Sequence, residues 1–324
     1  MGIGTDIRLF NNRIGLDFTY YNELTENQIL NVDINQSTGY EQRVVNAGEI
    51  TNRGIEFMLS TVPIKTNEFE LGVNFNFASN LTKMKKLTDE VKRYSFGDFN
   101  GGVELIAEEG KKFGLIEGSK YTRDEAGNKI VGSDGTYVVE QNQILGDVQA
   151  DFTGAIGINA KYKGLYVAAL FSMQQGGEIV SVTEQAATSA GTAARTNSMD
   201  RIDLFAPGVT ADGGSNTTLI SAQDYWGSIA GVDEEFVYDA SFMKLKELAI
   251  GYNVPTSLLN KIPHNPIKNA RISLVGRNLF YVYKDTPGTT PDASAYSTSY
   301  FAKAIDFAPV PNTRTYGFSL NLGF

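Results

Sequence analysis

The sequence contains no cysteine, so a disulfide framework and a thiolate metal site are both excluded. It has one histidine, His264, which rules out a multi-histidine zinc site, and no Ser, His and Asp constellation stands out around it. Tryptophan also occurs once, as Trp226. Proline is scarce, with 9 in 324 residues, and basic residues are outnumbered 37 to 28 by acidic ones. The resulting charge of −9 argues against nucleic acid as a partner. No run of about 18 apolar residues occurs, which excludes a membrane-spanning helix. The first residues, MGIGTDIRLF, have neither a basic start nor an apolar stretch of the kind that directs export.

What the chain does have is aromatic residues and glycine. There are 16 Tyr, 19 Phe and 33 Gly, a β-type profile. Mean hydropathy is −0.20, but a β-barrel that alternates lipid-facing and lumen-facing residues averages out in such an index. The alternation is plainest at the C-terminus. Tyr316, Phe318, Leu320, Leu322 and Phe324 occupy every second position, with Thr315, Gly317, Ser319, Asn321 and Gly323 between them. A terminal aromatic strand of this kind resembles the assembly signal of outer-membrane barrels.

Sibling stretches repeat the pattern. Ile14, Leu16, Phe18 and Tyr20 alternate with Gly15, Asp17 and Thr19, and Phe69 to Phe77 alternates with Glu70, Gly72, Asn74 and Asn76. Carboxylates in mid-strand are costly in a dry core and acceptable in a water-filled or plugged lumen, which separates a barrel wall from a sandwich. The expectation is an all-β antiparallel transmembrane barrel segment with nine strands, at about 3–10, 13–24, 46–61, 68–80, 147–162, 164–176, 239–254, 269–284 and 312–324. Short connections at 11–12, 62–67, 163–164 and 255–268 alternate with long ones at 25–45, 81–146, 177–238 and 285–311. In outer-membrane barrels the short turns are periplasmic and the long loops extracellular, so the C-terminus is expected in the periplasm. Nine is odd, whereas bacterial single-chain barrels use even numbers, so residues 1–324 are read as the last part of a larger barrel.

The ordered motifs NAGEITNRGIEFML (46–59), YTRDEAGNKIVGSDG (121–135), GDVQADFTGAIGINAKYKGLYVAALFSMQQGGEI (146–179), DASFMKLKELAIGYNVP (239–255), RISLVGRNLF (271–280) and TRTYGFSLNLGF (313–324) resemble the SusC/RagA-type TonB-dependent transporters of Bacteroidota. One departure is Val148-Gln149-Ala150, where the family pattern has a proline before the Asp-Phe pair. The resemblance implies a 22-stranded barrel with a plugged lumen, energised through a TonB complex, with a SusD-like surface lipoprotein as lid and a glycan or peptide as substrate. The plug and TonB box would lie upstream. No cofactor or metal is implied, and an enzyme is not expected. The alternative is a passive or structural barrel, porin-like or an adhesin anchor.

Within the long connections, Tyr225, Trp226, Tyr296 and Tyr300 are candidates for ligand stacking, weighed against simple packing or an aromatic girdle that also includes Phe301 and Phe307. Asp124, Glu125, Asn128 and Asp134 lack calcium-loop spacing and read better as a hairpin turned at Gly127 and Asp134-Gly135. Lys244 and Lys246 share a face with Leu248, Ile250 and Tyr252 and are expected near the outer rim, reaching lipopolysaccharide. Arg277 and Asn278 are read as structural, His264 as a surface turn residue, and 184–198 as a mobile, low-complexity loop portion. The genomic test is direct. We expect a reading frame upstream of Met1 that encodes a plug, a TonB box and further strands, followed by a SusD-like lipoprotein gene. A stop codon and ribosome-binding site immediately before Met1 would refute the transporter reading for this chain.

Overall fold

The computed structural model describes residues 1–33, 39, 42–46, 48–88, 91–99, 102–198, 202–261, 266–288, 290–292 and 304–324. Its frame is a nine-stranded sheet: β1 (Gly2–Leu9), β2 (Ile14–Thr25), β3 (Glu49–Lys65), β4 (Phe69–Lys86), β5 (Phe152–Tyr162), β6 (Leu165–Gln175), β7 (Phe242–Asn253), β8 (Asn269–Lys284) and β9 (Thr315–Gly323). Each strand pairs antiparallel with the next in sequence, so the sheet is an up-and-down meander with every crossing local. The nine expected strands are all present. One boundary is corrected: the stretch expected as a single strand over 147–162 breaks at 148–151, and residues before the break pair in a different sheet.

Period-2 alternation sorts the side chains into two faces. One row runs Ile7, Leu16, Leu59, Phe75, Ile156, Phe171, Leu245 and Phe280, one residue from each of eight neighbouring strands. A second continues through Val167, Ile250, Leu274 and Phe318 to the last strand. Toward their ends these rows are open to the surroundings, with Leu274 and Phe318 67% and 65% exposed, while Leu245 is covered. An apolar belt this wide is far larger than the patches soluble proteins expose, and only a hydrocarbon solvent accommodates it. No helix among the described residues is long and apolar enough to cross a membrane; the apolar belt is built by the strands.

The opposite face is polar. Asp17, Met58, Asn76, Ala155, Ser172, Lys244 and Tyr281 form one of its rows, and Ser60, Asn74, Gly157, Leu170, Glu247 and Arg277 the next. The short connections turn tightly. Tyr162 pairs with Leu165 across Lys163 and Gly164, which have φ of 45° and 94°, the positive values a two-residue primed hairpin requires.

The long connections, all at the other end of the strands, fold into structure of their own. Residues 87–151 form a four-stranded antiparallel sheet of Arg93–Phe99, Val103–Glu108, Phe113–Tyr121 and Val139–Asp147. Residues 176–241 carry Glu178–Ser181, α1 (Val182–Ser189), a 3-10 turn at Ala194–Ser198, a small ribbon, α2 (Ala222–Ala230) and a second 3-10 turn at Asp233–Phe236. The stretch expected to be mobile over 184–198 is therefore ordered. Ser181 caps α1 by accepting from Glu184 N–H at 3.1 Å, alanines favour the helix, and Thr188, Ala193 and Thr196 are buried.

The two faces respond oppositely to charge. Ile158→Arg, in the middle of β5 on the apolar face, should cost about 2–4 kcal/mol. Asn74→Lys on the polar face should change little, as read by urea unfolding of the refolded protein in detergent or lipid.

Candidate functional site

The polar face and the connections packed above its far end make up the candidate site. Near the short-turn end, Arg8, Ser60, Glu70, Asn74, Lys161 and Arg271 line a groove of about 430 Å3. Glu70 sits between Lys65 and Lys161, at 3.2 and 3.0 Å. Arg271 lies 5.1 Å from the ring centre of Tyr166 and donates to Asn253 at 2.7 Å. A second groove, farther along the same face, is lined by Asn74, Asn76, Asn159, Tyr166 and Glu247. Amides, a phenol and paired charges on a wetted wall offer hydrogen bonds in both directions and present little that would hold a ligand tightly.

At the far end the connections are tied together by an acidic triplet. The carboxylate of Asp233, 7% exposed, accepts from the Ser119 N–H at 2.9 Å, the Ser119 hydroxyl at 2.8 Å and the Gln185 amide at 3.3 Å. Glu234 takes the Tyr121 N–H and Arg123, both at 3.0 Å. Glu235 takes the Tyr121 hydroxyl at 3.0 Å, Arg195 at 3.1 Å and Lys129 at 3.3 Å. Lys129 also lies 3.4 Å from the Tyr121 ring centre. Burial first, and the Glu235 charge second, push the Tyr121 hydroxyl far above its ordinary pKa. Three successive carboxylates thus bind the 87–151 sheet to the 176–241 helices.

Gln149, 4% exposed, joins this assembly to the wall. Its side-chain oxygen accepts from Thr82 N–H at 2.8 Å, while its amide nitrogen donates to Thr82 C=O at 2.8 Å and Phe113 C=O at 2.7 Å. The side chain thereby imitates a strand residue at the point where β4 loses its β5 partner. Glu178, at the same junction, accepts from Asp147 N–H at 2.7 Å. Burial first, then Asp147 and Asp239, raise its pKa, with Lys112 opposing.

The ligand-stacking candidates divide. Tyr225 is buried on α2 in a core with Tyr121, Tyr137, Ile229 and Phe236. Trp226 is half-buried beside it, ring centres 5.0 Å apart and edge-on. Tyr225 thus lies inside the packing, with no face open to a ligand. Tyr296, Tyr300 and Phe301 lie outside the described residues, as does His264. Phe307 is 43% exposed. The terminal row of Tyr316, Phe318, Leu320, Leu322 and Phe324 lies on β9 and its end, each residue exposed. Asp124 accepts from the N–H groups of Ala126 and Asn128 at 2.9 and 2.8 Å in a turn completed by Gly127 at φ 87°.

The lysine expectation is corrected. Leu170 of β6 pairs with Glu247 and Phe171 with Leu245, leaving Lys246 as an extra residue on β7. On the other side β8 is also irregular there, with Asn278 at φ 52°. This β-bulge shifts the alternation by one. Met243 and Leu245 then occupy the apolar rows, and Lys244 is carried to the polar face, 2% exposed and 2.8 Å from Asp292. Lys246 is exposed at the bulge. Burial favours the neutral form of Asp292, but the hydrogen bonds from Lys244 and Tyr281 prevail and hold its carboxyl below the usual range. Arg277 pairs with Glu247 at 2.9 Å across the bulge.

No protein-family model matches the chain. Over its whole length it is 26% identical to two TonB-dependent receptors of Formosa agariphila, P3 and P26, in each case covering 34% of the relative. The chain thus spans about a third of the length of the curated relatives it matches. Among solved structures, the RagAB peptide transporter superposes on the entire chain with a TM-score of 0.68 at 20% identity, over 35% of that chain. The RagAB peptide importer in its closed-closed state gives 0.69 at 21%, again over 35%. The chain is similar to TonB-dependent receptors and has the fold of a corresponding stretch of outer-membrane transporter barrel.

The buried Glu178 gives a pH-dependent test. A carboxyl whose pKa is raised on folding favours the folded state most below its unfolded pKa, and that advantage fades as pH rises through the folded value. Glu178→Gln keeps an acceptor for Asp147 N–H without the charge. It should therefore protect the 147–181 junction from hydrogen exchange relative to wild type near pH 7, and by less near pH 4. An equal effect at both values would show that the charge is not what matters.

Proposed function

We propose that residues 1–324 are the C-terminal part of the barrel of a TonB-dependent outer-membrane transporter, which imports oligosaccharides or peptides with a SusD-like surface lipoprotein. The observation that supports this best is the division of the nine-stranded sheet into an exposed apolar face and a wetted polar face, in a chain similar from end to end to TonB-dependent receptors. The relatives are named as receptors and transporters, which fits transport. Import would belong to the whole protein: a plug occupying the lumen, a TonB complex drawing on the proton-motive force, and a lipoprotein over the long connections.

In this reading the long connections face the outside and the C-terminus the periplasm, with the β9 aromatic row as the assembly signal. Charge is distributed to match. The connections 26–48, 87–151, 176–241 and 285–314 hold 29 acidic and 12 basic residues, while the strands and short turns hold 8 and 16. An acidic mouth repels polyanions and lets neutral or cationic substrates approach, so neutral glycans and peptides fit better than sulfated or uronic chains.

Two measurements separate this reading from a passive barrel. Uptake of the substrate by intact cells should stop when a protonophore collapses the proton-motive force; uptake that persists would identify a passive channel. Protease added to intact cells should cut in the hairpin at 122–138 and spare the turn at 163–164. The opposite pattern would invert the topology.

A further inference from the structure

The Lys244 ammonium is the most deeply buried charge on the polar face, at 2% exposure, and nothing in the transport reading uses it. Its Nζ lies 2.8 Å from Asp292 Oδ2, 3.5 Å from the Tyr281 hydroxyl and 4.9 Å from that ring's centre. Asp292 is on the last long connection. Its other oxygen accepts from the Tyr281 hydroxyl and, at 3.1 Å, from the Asn312 amide. Asp292 therefore joins an early residue of the 285–314 connection to a late one, and joins both to the wall. The same connection is held at other points as well. Asp285 N–H donates to Ser241 C=O at 3.2 Å, Ile305 pairs with Val180, and Asp306 accepts from the Ser181 hydroxyl at 2.6 Å.

We propose that Lys244 is a positioning residue. Seated on the inner face by the bulge at Lys246, it latches Asp292 and ties the described parts of the 285–314 connection, 285–288, 290–292 and 304–314, to the wall. The inference rests on the barrel reading for which face is inner. The physical reason is the asymmetry of buried ion pairs. A lysine enclosed among strands is costly unless its partner is always present, so the lysine holds the connection as firmly as the connection shields the lysine. The bulge makes the arrangement possible: with regular alternation Lys244 would point to the apolar side, out of reach of Asp292.

The test uses the full-length receptor, refolded or purified in detergent. It compares wild type, Lys244→Met, Lys244→Arg, Asp292→Asn and the double variant Lys244→Met/Asp292→Asn. Heat-modifiable migration on a gel reports the barrel, and its absence from wild type would count against the barrel reading, not the latch. Hydrogen exchange of peptides within 285–292 and 304–312 reports the latch. We expect Lys244→Met and Asp292→Asn each to speed exchange there by about tenfold or more, the double variant to exceed neither, and Lys244→Arg to restore wild-type protection. Asp292 lies outside the strands, so Asn at that position keeps the inference testable if Lys244→Met fails to assemble. Unchanged exchange in Asp292→Asn, or effects of the two single changes that add in the double, would overturn the proposal.

Discussion

Backbone amides and carbonyls inside hydrocarbon have only one another to bond, and the rest of this molecule follows from that constraint. An up-and-down sheet satisfies it with local pairings alone, which is why the nine strands lie in space in their sequence order. Once the ladder is set, a side-chain period of two assigns each residue to oil or to water. The sheet's two faces are a largely exposed apolar belt and a wetted polar wall. The hydrophobic cores lie elsewhere, two of them entirely within the long connections and a third around Met84 and Leu87 where β4 leaves the sheet.

The constraint also locates the exceptions. Where β4 outlasts its partner, the Gln149 side chain supplies the missing hydrogen bonds. Where β7 carries an extra residue, Lys246 stands at the irregularity, Arg277 and Glu247 bridge it, and every residue before it changes face. A single inserted position thus turns a would-be surface lysine into a buried one with a fixed partner.

The frame was legible in the sequence because alternation is a local signal. Leu16 and Phe18, or Phe75 and Phe77, announce the same face without reference to anything distant. Face assignment on β7 was not legible. The extra residue shows only against the register of β6 and β8, so Lys244 read as a continuation of Leu248, Ile250 and Tyr252. The connections were also opaque, for a different reason. Asp233, Glu234 and Glu235 look like an ordinary solvated acidic run until residues 119–123, more than a hundred positions earlier, are brought against them. Tyr225 and Trp226 were visible as an aromatic pair, but the sequence does not say which way α2 turns them. Gln149 falls in the one stretch that departs from the family pattern, Val148-Gln149-Ala150, but nothing local marks it as the residue that bonds the wall.

The footing of the connections on the wall has an evolutionary consequence. The connections are cored and hydrogen-bonded among themselves, while Gln149, Ser241 and Asp292 supply side-chain contacts to the strands below. If the proposed transport role holds, a lineage under pressure to recognise a new substrate could recombine or diversify the whole crown as a unit, conserving its footing residues and leaving the strands below untouched. Homologous receptors should then diverge fastest in the crown interior and slowest at its footings, the reverse of the usual rule that buried positions are the most constrained.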